Sequence, residues 1–211
     1  GPMFRYERMK TGRYRQFYQL GAEAYGSLDP AQDVEIIALG AEFLRQLGVP
    51  EVKLFLNTLG DGSTRPAYVE ALKRHFEPLK GAMSPDAQLA YERNTMRLLD
   101  SKEAALQEAI AAAPAVIDFV DEGSRKHFDE VRRLLEKVGV PFELDRRLVR
   151  GLDYDTRTTF EFSYSPTSGE NALGTAGTVC GGGRYDRLVH ELGGPEKPAI
   201  GFAMGLDRLV M

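Results

Sequence analysis

The stretch Phe4-Arg5-Tyr6-Glu7-Arg8-Met9-Lys10-Thr11-Gly12-Arg13-Tyr14-Arg15-Gln16-Phe17-Tyr18-Gln19 decides how this chain folds. Apolar and polar side chains alternate at its two ends, residues 4–7 and 15–19, and this alternation is typical of β-strands. Lys10-Thr11-Gly12 supplies a turn between them, so the sequence predicts a β-hairpin over residues 4–19. The hairpin also carries a cluster of arginines, at positions 5, 8, 13 and 15.

Outward from the hairpin, the sequence predicts helices that alternate with strands. Asp29-Pro30 is a typical helix start, with aspartate as the N-cap, and Gly48 ends the helix. Residues 52–57 predict a strand, and a second helix is expected over residues 63–79. Strand pairs joined by short turns, with helices between them, predict an α+β fold with an antiparallel or mixed sheet flanked by helices.

Residues 81–145 differ in composition from the rest of the chain. They are rich in Ala, Glu, Lys and Arg, and prolines interrupt them. The pattern predicts short helices near residues 85–93, 101–112 and 122–138. We interpret this stretch as a small helical insertion between the two parts of one core, residues 1–80 and 146–211.

Residues 158–164 alternate as a strand, and a glycine-rich segment follows. We predict that Cys180-Gly181-Gly182-Gly183 is a loop leading into a helix near 185–192, with a final helix starting near 201. The segment lacks both the Lys-Ser/Thr of a P-loop and the G-x-G-x-x-G spacing of a dinucleotide fold. Cys180 is predicted to be a small buried residue rather than a nucleophile.

Composition excludes several classes of protein. The 211 residues, 43% of them hydrophobic, are enough for one sizeable core, and the net charge of -4 argues against non-specific nucleic-acid binding through bulk charge. The single cysteine excludes an internal disulfide and a cysteine zinc cluster, and fits a cytoplasmic protein. No apolar run approaches the roughly 20 residues of a membrane span. The three histidines have no metal or triad spacing, so we predict no metal site and read all three as structural.

Two arginines have a chemical interpretation beside a structural one. Arg5 and Glu7 point to the same face of a strand, where the guanidinium could bind a phosphate and the carboxylate an exocyclic amine. A surface ion pair explains the same spacing. Arg150 lies between apolar residues and Gly151, so it is either aimed into a cleft or paired in the interior, with Asp153 or Glu161.

Taken together, four segments resemble the class II histidyl-tRNA synthetases along essentially the whole chain. Residues 3–23 resemble motif 2, and residues 201–209 resemble motif 3. Residues 148–161 and 180–188 are similar to the two histidine-binding signatures that are specific to this family. The resemblance implies activation of histidine with ATP, transfer to tRNA(His), and an insertion near the tRNA acceptor arm.

The resemblance also implies roles for residues at matching positions. Arg5 would contact the α-phosphate of ATP, Glu7 the adenine amino group, and Arg13 and Arg208 the outer phosphates, with Mg²⁺ accompanying the pyrophosphate. Arg150 would bridge the histidine carboxylate and the α-phosphate. The histidine pocket would be formed by residues with separate tasks: Gln19 for the α-amino group, Glu23 for the imidazole, and Tyr154, Asp155 and Tyr185 as its lining.

Departures from the family pattern leave a second function open. Asp155 stands where a second tyrosine is expected, and Met9-Lys10 replaces the usual Pro-Gln of the motif 2 loop. The chain begins at motif 2, so we expect it to lack motif 1, which builds the family's homodimer interface, and the anticodon-binding domain. The alternative is a non-catalytic, synthetase-like regulatory subunit of ATP phosphoribosyltransferase. Those paralogues tend to lose the arginines that this chain retains.

Overall fold

The computed structural model describes residues 1–6, 14–149, 154–166 and 177–210. Within these ranges the centre of the molecule is a seven-stranded sheet. The strands are β1 (Pro2–Phe4), β2 (Gln16–Tyr25), β3 (Val52–Thr58), β4 (Glu143–Leu144), β5 (Thr156–Tyr164), β6 (Thr178–Arg184) and β7 (Ala199–Gly205). Their order across the sheet is β1-β2-β7-β6-β5-β3-β4. Neighbours run antiparallel except for β3 and β4, which are parallel, so the predicted α+β class is confirmed.

The hairpin forms, but its strands differ in extent from the prediction. Pro2 lies opposite Tyr18, and the amide of Arg5 continues the pairing by donating to the carbonyl of Arg15 at 2.8 Å. β2 runs on to Tyr25 because its other edge pairs with β7 from Gln19 onward. The predicted turn at residues 10–12 lies outside the described residues.

Some helices pack against the sheet, and others pack mainly against one another in a second cluster. The helices are α1 (Pro30–Gln46), α2 (Thr64–Phe76), α3 (Pro85–Arg93), α4 (Gln107–Ala111), α5 (Glu122–Val138), α6 (Leu188–Glu191) and α7 (Leu206–Val210). The start of α1 is as predicted, since the Asp29 carboxylate accepts from the amide of Ala31 at 2.9 Å. Gly48, with φ of +70°, follows its last turn. In the described part of the chain, each helix is too short or too polar to span a bilayer.

The main core lies between the sheet and the helices α1 and α5. Ile37 and Leu44 of α1 meet Val131 and Leu135 of α5 above Phe160 of β5, all within one buried cluster. An added Cβ at Gly40 would lie 3.2 Å from the ring of Phe162, so the glycine lets α1 approach the sheet closely. The same cluster buries Cys180, as predicted.

A second cluster packs α2 and α3 with the short helices that follow. Tyr68, Leu72 and Phe76 of α2 are its centre. α2 ends at Phe76 rather than near residue 79, and a 3-10 helix, Glu77–Ala82, continues the chain, with Pro78 in its first turn. The helix expected at 101–112 is shorter: a 3-10 turn, Ala104–Leu106, precedes α4.

Two segments near the C-terminus are strands where a loop and a helix were predicted. Thr178–Arg184 forms β6, and its glycines lie in the middle of the sheet rather than in a loop. Ala199–Gly205 forms β7, and a helix begins only at Leu206. Both predictions were wrong because close packing between neighbouring strands favours glycine here, although glycine is otherwise rare in strands.

The last helix of the predicted insertion packs on the main core. α5 lies against α1, and Phe128 is one of its side chains in the first cluster. α2 and α3, on either side of residue 81, share the second cluster. The boundaries 1–80, 81–145 and 146–211 stay a prediction.

Candidate active site

On the face of the sheet opposite α1, the central strands carry several glycines and an alanine. Gly201 of β7 lies opposite Glu23 of β2 and opposite Gly183 of β6, and Ala203 likewise faces Gly21 and Gly181. Side chains alternate between the two faces of a strand. Since the intervening Ile200, Phe202 and Met204 point into the main core, these small residues form a flat floor on the opposite face.

Packing enforces the small residues in this floor. A Cβ at Gly21 would lie 2.6 Å from the carbonyl oxygen of Phe202, and one at Gly183 would lie 3.0 Å from that of Thr158. At Gly201 a Cβ would overlap the carboxylate of Glu23 itself. The Glu23 side chain therefore lies down across β7, and the glycine makes that position possible.

Glu23 and Tyr185 form the polar centre of the site. The hydroxyl of Tyr185 donates to Oε2 of Glu23. Burial raises the pKa of the Tyr185 hydroxyl, and the hydrogen bond to Glu23 raises it further, so the phenol stays protonated and remains a donor. The rings of Tyr25 and Tyr154 meet the Tyr185 ring edge-on, at centroid distances of 6.4 and 6.3 Å. A carboxylate beside aromatic rings suits a planar, hydrogen-bond-donating or cationic ligand.

Arg208 lies along the same face, beside an acidic residue. Its Nη1 donates to the carbonyl of Thr178, and the Thr178 hydroxyl donates to Oε2 of Glu161 at 2.9 Å. Glu161 lies on the same face of the sheet as the glycine floor, because its neighbours Phe160 and Phe162 point into the core on the other face. This end of the floor therefore combines a guanidinium with a carboxylate.

Arg5 lies on the hairpin at the edge of the sheet. Its guanidinium carbon is 4.1 Å from the centroid of the Phe17 ring, and its Nε donates to the carbonyl of Tyr14 at 3.1 Å. Stacking of this kind holds the planar group in a fixed orientation.

The structure brings several of the predicted site residues onto one face. Gln19 and Glu23 share that face of β2, Tyr185 reaches it from the end of β6, and Arg208 reaches it from α7. Tyr154 and the half-buried Asp155 immediately precede β5. Three further predicted residues lie outside the described residues: Glu7, Arg13 and Arg150.

Sequence reasoning missed a buried charged cluster beneath the site. Arg184 and Asp33 are both fully buried, and Nε of the arginine donates to Oδ1 of Asp33 at 2.7 Å. His127, which we interpret from the sequence as structural, is buried with Nε2 2.9 Å from Oδ2 of Asp33. The signal available was the strand alternation: Arg184 shares its face of β6 with Cys180 and Gly182, which points it into the interior.

No group of three or more potential metal-ligating side chains was found in the part of the chain that the structure describes.

Comparison with known proteins identifies one family. The model of the histidyl-tRNA synthetase family matches residues 1–209 of this chain. A histidine–tRNA ligase of Thermosynechococcus vestitus is 49% identical over 211 residues, and one of Synechocystis is 51% identical. The match covers 100% of this chain but 48% and 46% of those relatives. The chain thus spans about half the length of the curated relatives it matches.

Solved structures agree with the sequence relatives. An apo histidyl-tRNA synthetase of S. aureus aligns with a TM-score of 0.72 at 37% identity, over 100% of this chain and 48% of its own length. A Bacillus halodurans protein described as an ATP phosphoribosyltransferase regulatory subunit/histidyl-tRNA synthetase aligns with a TM-score of 0.63 at 23% identity, over 100% of this chain and 56% of its own. The second likeness concerns the fold alone.

Proposed function

The chain belongs to the histidyl-tRNA synthetase family, and from that premise we propose that it activates histidine with ATP and passes the histidyl group to tRNA(His). The observation that carries this proposal is the Glu23–Tyr185 pair on the glycine floor. We propose residues 1–80 and 146–211 as the two parts of the catalytic core. Residues 81–145 would be the insertion that approaches the tRNA acceptor arm.

Histidine would bind with its imidazole against Glu23. The carboxylate accepts a ring N–H, while Tyr185 holds the carboxylate from the other side and prevents it from turning away. Gln19 lies four residues before Glu23 on the same face of β2, and its side-chain carbonyl would accept from the α-amino group. Tyr154 and Asp155 would border the ring, and the carboxylate of Asp155 would favour a protonated imidazole over a neutral one.

ATP would lie across the rest of the floor. A surface without Cβ atoms lets a flat base approach the backbone closely, and the overlaps that a Cβ would cause at Gly21 and Gly183 leave no room for larger residues there. Arg5 would bind the α-phosphate, Arg208 and Arg13 the outer phosphates, and Glu7 the adenine amino group. Fork-shaped guanidinium groups match phosphate oxygens in this way.

Mg²⁺ would accompany the pyrophosphate moiety of ATP. Glu161 beside Arg208 is the kind of single carboxylate that this ion uses together with phosphate oxygens and water. When bound, the ion would offset the negative charge of the outer phosphates. The chain's own contribution there is to hold those phosphates through Arg208.

Adenylate formation would proceed by in-line attack. A carboxylate oxygen of histidine forms a bond to the α-phosphorus while the bond to the bridging oxygen breaks, and pyrophosphate leaves with that electron pair. Arg150 would contact both the carboxylate and the α-phosphate, so it would align them and offset the charge that accumulates between them. Catalysis of this kind is mainly positioning and charge stabilisation.

Histidine-dependent ATP–pyrophosphate exchange tests the proposal. We expect exchange in the unmodified chain, and a loss of about 100-fold or more in Arg5→Ala and in Arg150→Ala, because each removes a cation from the reacting phosphate. Arg133→Ala is the matched control, since Arg133 pairs with Glu130 on the exposed surface of α5.

Circular dichroism should show an unchanged fold in these variants. If Arg150→Ala unfolds, its side chain is a structural ion-pair partner rather than a catalytic one. If the unmodified chain shows no histidine-dependent exchange but co-purifies with ATP phosphoribosyltransferase, the regulatory-subunit alternative replaces the proposal.

A further inference from the structure

All three nitrogens of the Arg184 guanidinium contact partners inside the protein. Nε and Nη2 contact Oδ1 of Asp33 at 2.7 and 2.5 Å. Nη1 donates to the carbonyl of Ser27 at 3.0 Å and to Oδ1 of Asp186 at 3.1 Å, and Nη2 also donates to the carbonyl of Asp29 at 3.2 Å. The side chain is fully buried, so it offers no exposed surface to a substrate. Its task is therefore internal.

Apart from Asp33 of α1, these partners of Arg184 belong to the two segments that carry the site. Ser27 and Asp29 lie in the connection that follows β2, just beyond Glu23 and Tyr25. Asp186 directly follows Tyr185, while Arg184 directly precedes it. One planar group thus joins the backbone after β2 to the turn after β6.

The turn around Tyr185 is fixed on both sides. The amide of Tyr185 donates to the carbonyl of Ala199 at 2.9 Å, and the amide of Asp186 donates to the Thr156 hydroxyl at 3.1 Å. Asp186 also lies 3.7 Å from Nε of Arg157, a residue with a positive φ of 44°. A non-glycine residue with such a backbone conformation persists only where its surroundings hold it.

We propose that Arg184 is a positioning residue for histidine recognition, which acts by holding the Tyr185 turn against the end of β2 so that the Tyr185 hydroxyl stays on Glu23. The proposal rests on the proposed function of Glu23 and Tyr185. Because the guanidinium is fully buried, we expect it to act through Tyr185 rather than by contact with ATP or histidine. Its loss should therefore weaken the histidine site selectively.

Arg184→Lys is the direct test. A lysine has no planar fork and cannot reach Asp33, Asp186 and the two carbonyls together. In ATP–pyrophosphate exchange, we expect the KM for histidine to rise roughly tenfold or more, with kcat and the KM for ATP nearly unchanged. Arg133→Lys is the matched control, because it makes the same replacement at a two-pronged arginine–carboxylate pair on the exposed surface.

The alternative outcomes also decide the question. The proposal is overturned if folded Arg184→Lys behaves like Arg133→Lys, or if the KM values for histidine and ATP rise together. If circular dichroism shows that Arg184→Lys does not fold, Asp186→Asn is judged by the same split between the two KM values. Asparagine keeps the shape of Asp186 and removes its charge.

Calorimetric titration with histidine separates this proposal from the proposed function. Suppose that the unmodified chain gives no exchange but binds histidine, and that Arg184→Lys binds histidine roughly tenfold more weakly or worse. The positioning role of Arg184 is then supported, while the proposed catalysis by this chain is contradicted. Equal binding by the two proteins overturns the positioning role. If the unmodified chain does not bind histidine, both proposals fail.

Discussion

At the scale of single residues, Gly201 shows how a missing side chain shapes the site. Its hydrogen occupies the side of β7 over which the Glu23 carboxylate lies, and a Cβ there would overlap that carboxylate. The carbonyl oxygen of Ala22 lies only 2.7 Å from the same point. Glycine at this position therefore sets the orientation of a charged group on the neighbouring strand.

Gly201→Ala should damage the site more than the fold. The added methyl must displace Glu23, so we expect the KM for histidine to rise more than tenfold, with the protein destabilised by about 1–3 kcal/mol through overpacking. Exchange kinetics and urea denaturation measure the two effects. Gly81→Ala is the control, because a Cβ at Gly81 would meet nothing within 4 Å. Identical kinetics in the two variants would show that Glu23 has room to move.

At the scale of elements, the sequence predicted the parts whose signals are local. α1 follows from its N-cap residue and its apolar stripe, and α5 from a stretch rich in helix-forming residues. Both form nearly where expected, at Pro30–Gln46 and Glu122–Val138. β6 and β7 were misassigned because contacts with neighbouring strands require their glycines, such as Phe160 of β5 at Gly182 and Glu23 of β2 at Gly201. Ile200, Phe202 and Met204 do show the two-residue alternation of a strand. The residues between them, Gly201 and Ala203, are small rather than polar, so the alternation was not recognised.

The same distinction holds for the candidate site. Glu23 and Tyr185 were predicted through the family's motifs, and the structure brings them into contact. Arg184 was missed because nothing local reveals that Asp33, on a distant helix, provides its counter-charge. The role of such a residue depends on a partner that only the tertiary fold brings near, so a single sequence does not predict it.

Packing of α5 on the main core gives a prediction at this scale. Leu135 is fully buried, and Leu135→Ala should lower the free energy of unfolding by about 2–5 kcal/mol, since the cavity cannot close between α1 and the sheet. Urea denaturation followed by circular dichroism measures this loss. Leu89→Ala, at a position 47% exposed on α3, should cost far less. Equal losses would contradict the placement of α5 in the core.

At the scale of the whole molecule, buried charge ties the layers together. Asp33 of α1 contacts Arg184 of β6 and His127 of α5. Burial by itself would raise the pKa of Asp33, but the hydrogen bonds from His127 and Arg184 outweigh it, and the pKa is lowered from its ordinary value. The folded state thus holds this carboxylate ionised more strongly than the unfolded chain does.

The lowered pKa of Asp33 makes stability depend on pH. Its contribution is present above the ordinary aspartate pKa of 3.8 and is lost as the pH falls through the lower value in the folded state. Asp33→Asn should therefore flatten the fall in unfolding free energy below about pH 4. At neutral pH it should cost about 3–5 kcal/mol, because Arg184 loses its buried counter-charge.

Urea denaturation at a series of pH values measures both effects. Asp129→Asn is the control, since Asp129 pairs with Arg132 on the exposed surface of α5. If the unfolding free energy of Asp33→Asn falls as steeply below about pH 4 as that of the unmodified chain, other carboxylates govern acid unfolding.

The strand order has a consequence for how the chain is made. β5, β6 and β7 follow one another in sequence and pair as neighbours, whereas β2 must find β7 from the opposite end of the chain. Contacts between distant segments form slowly because a long loop has to close first. On the ribosome, β2 therefore emerges long before its partner and waits with one edge unpaired. An unpaired strand edge is prone to pair with other chains, so we expect chaperone protection of the nascent chain to matter at β2.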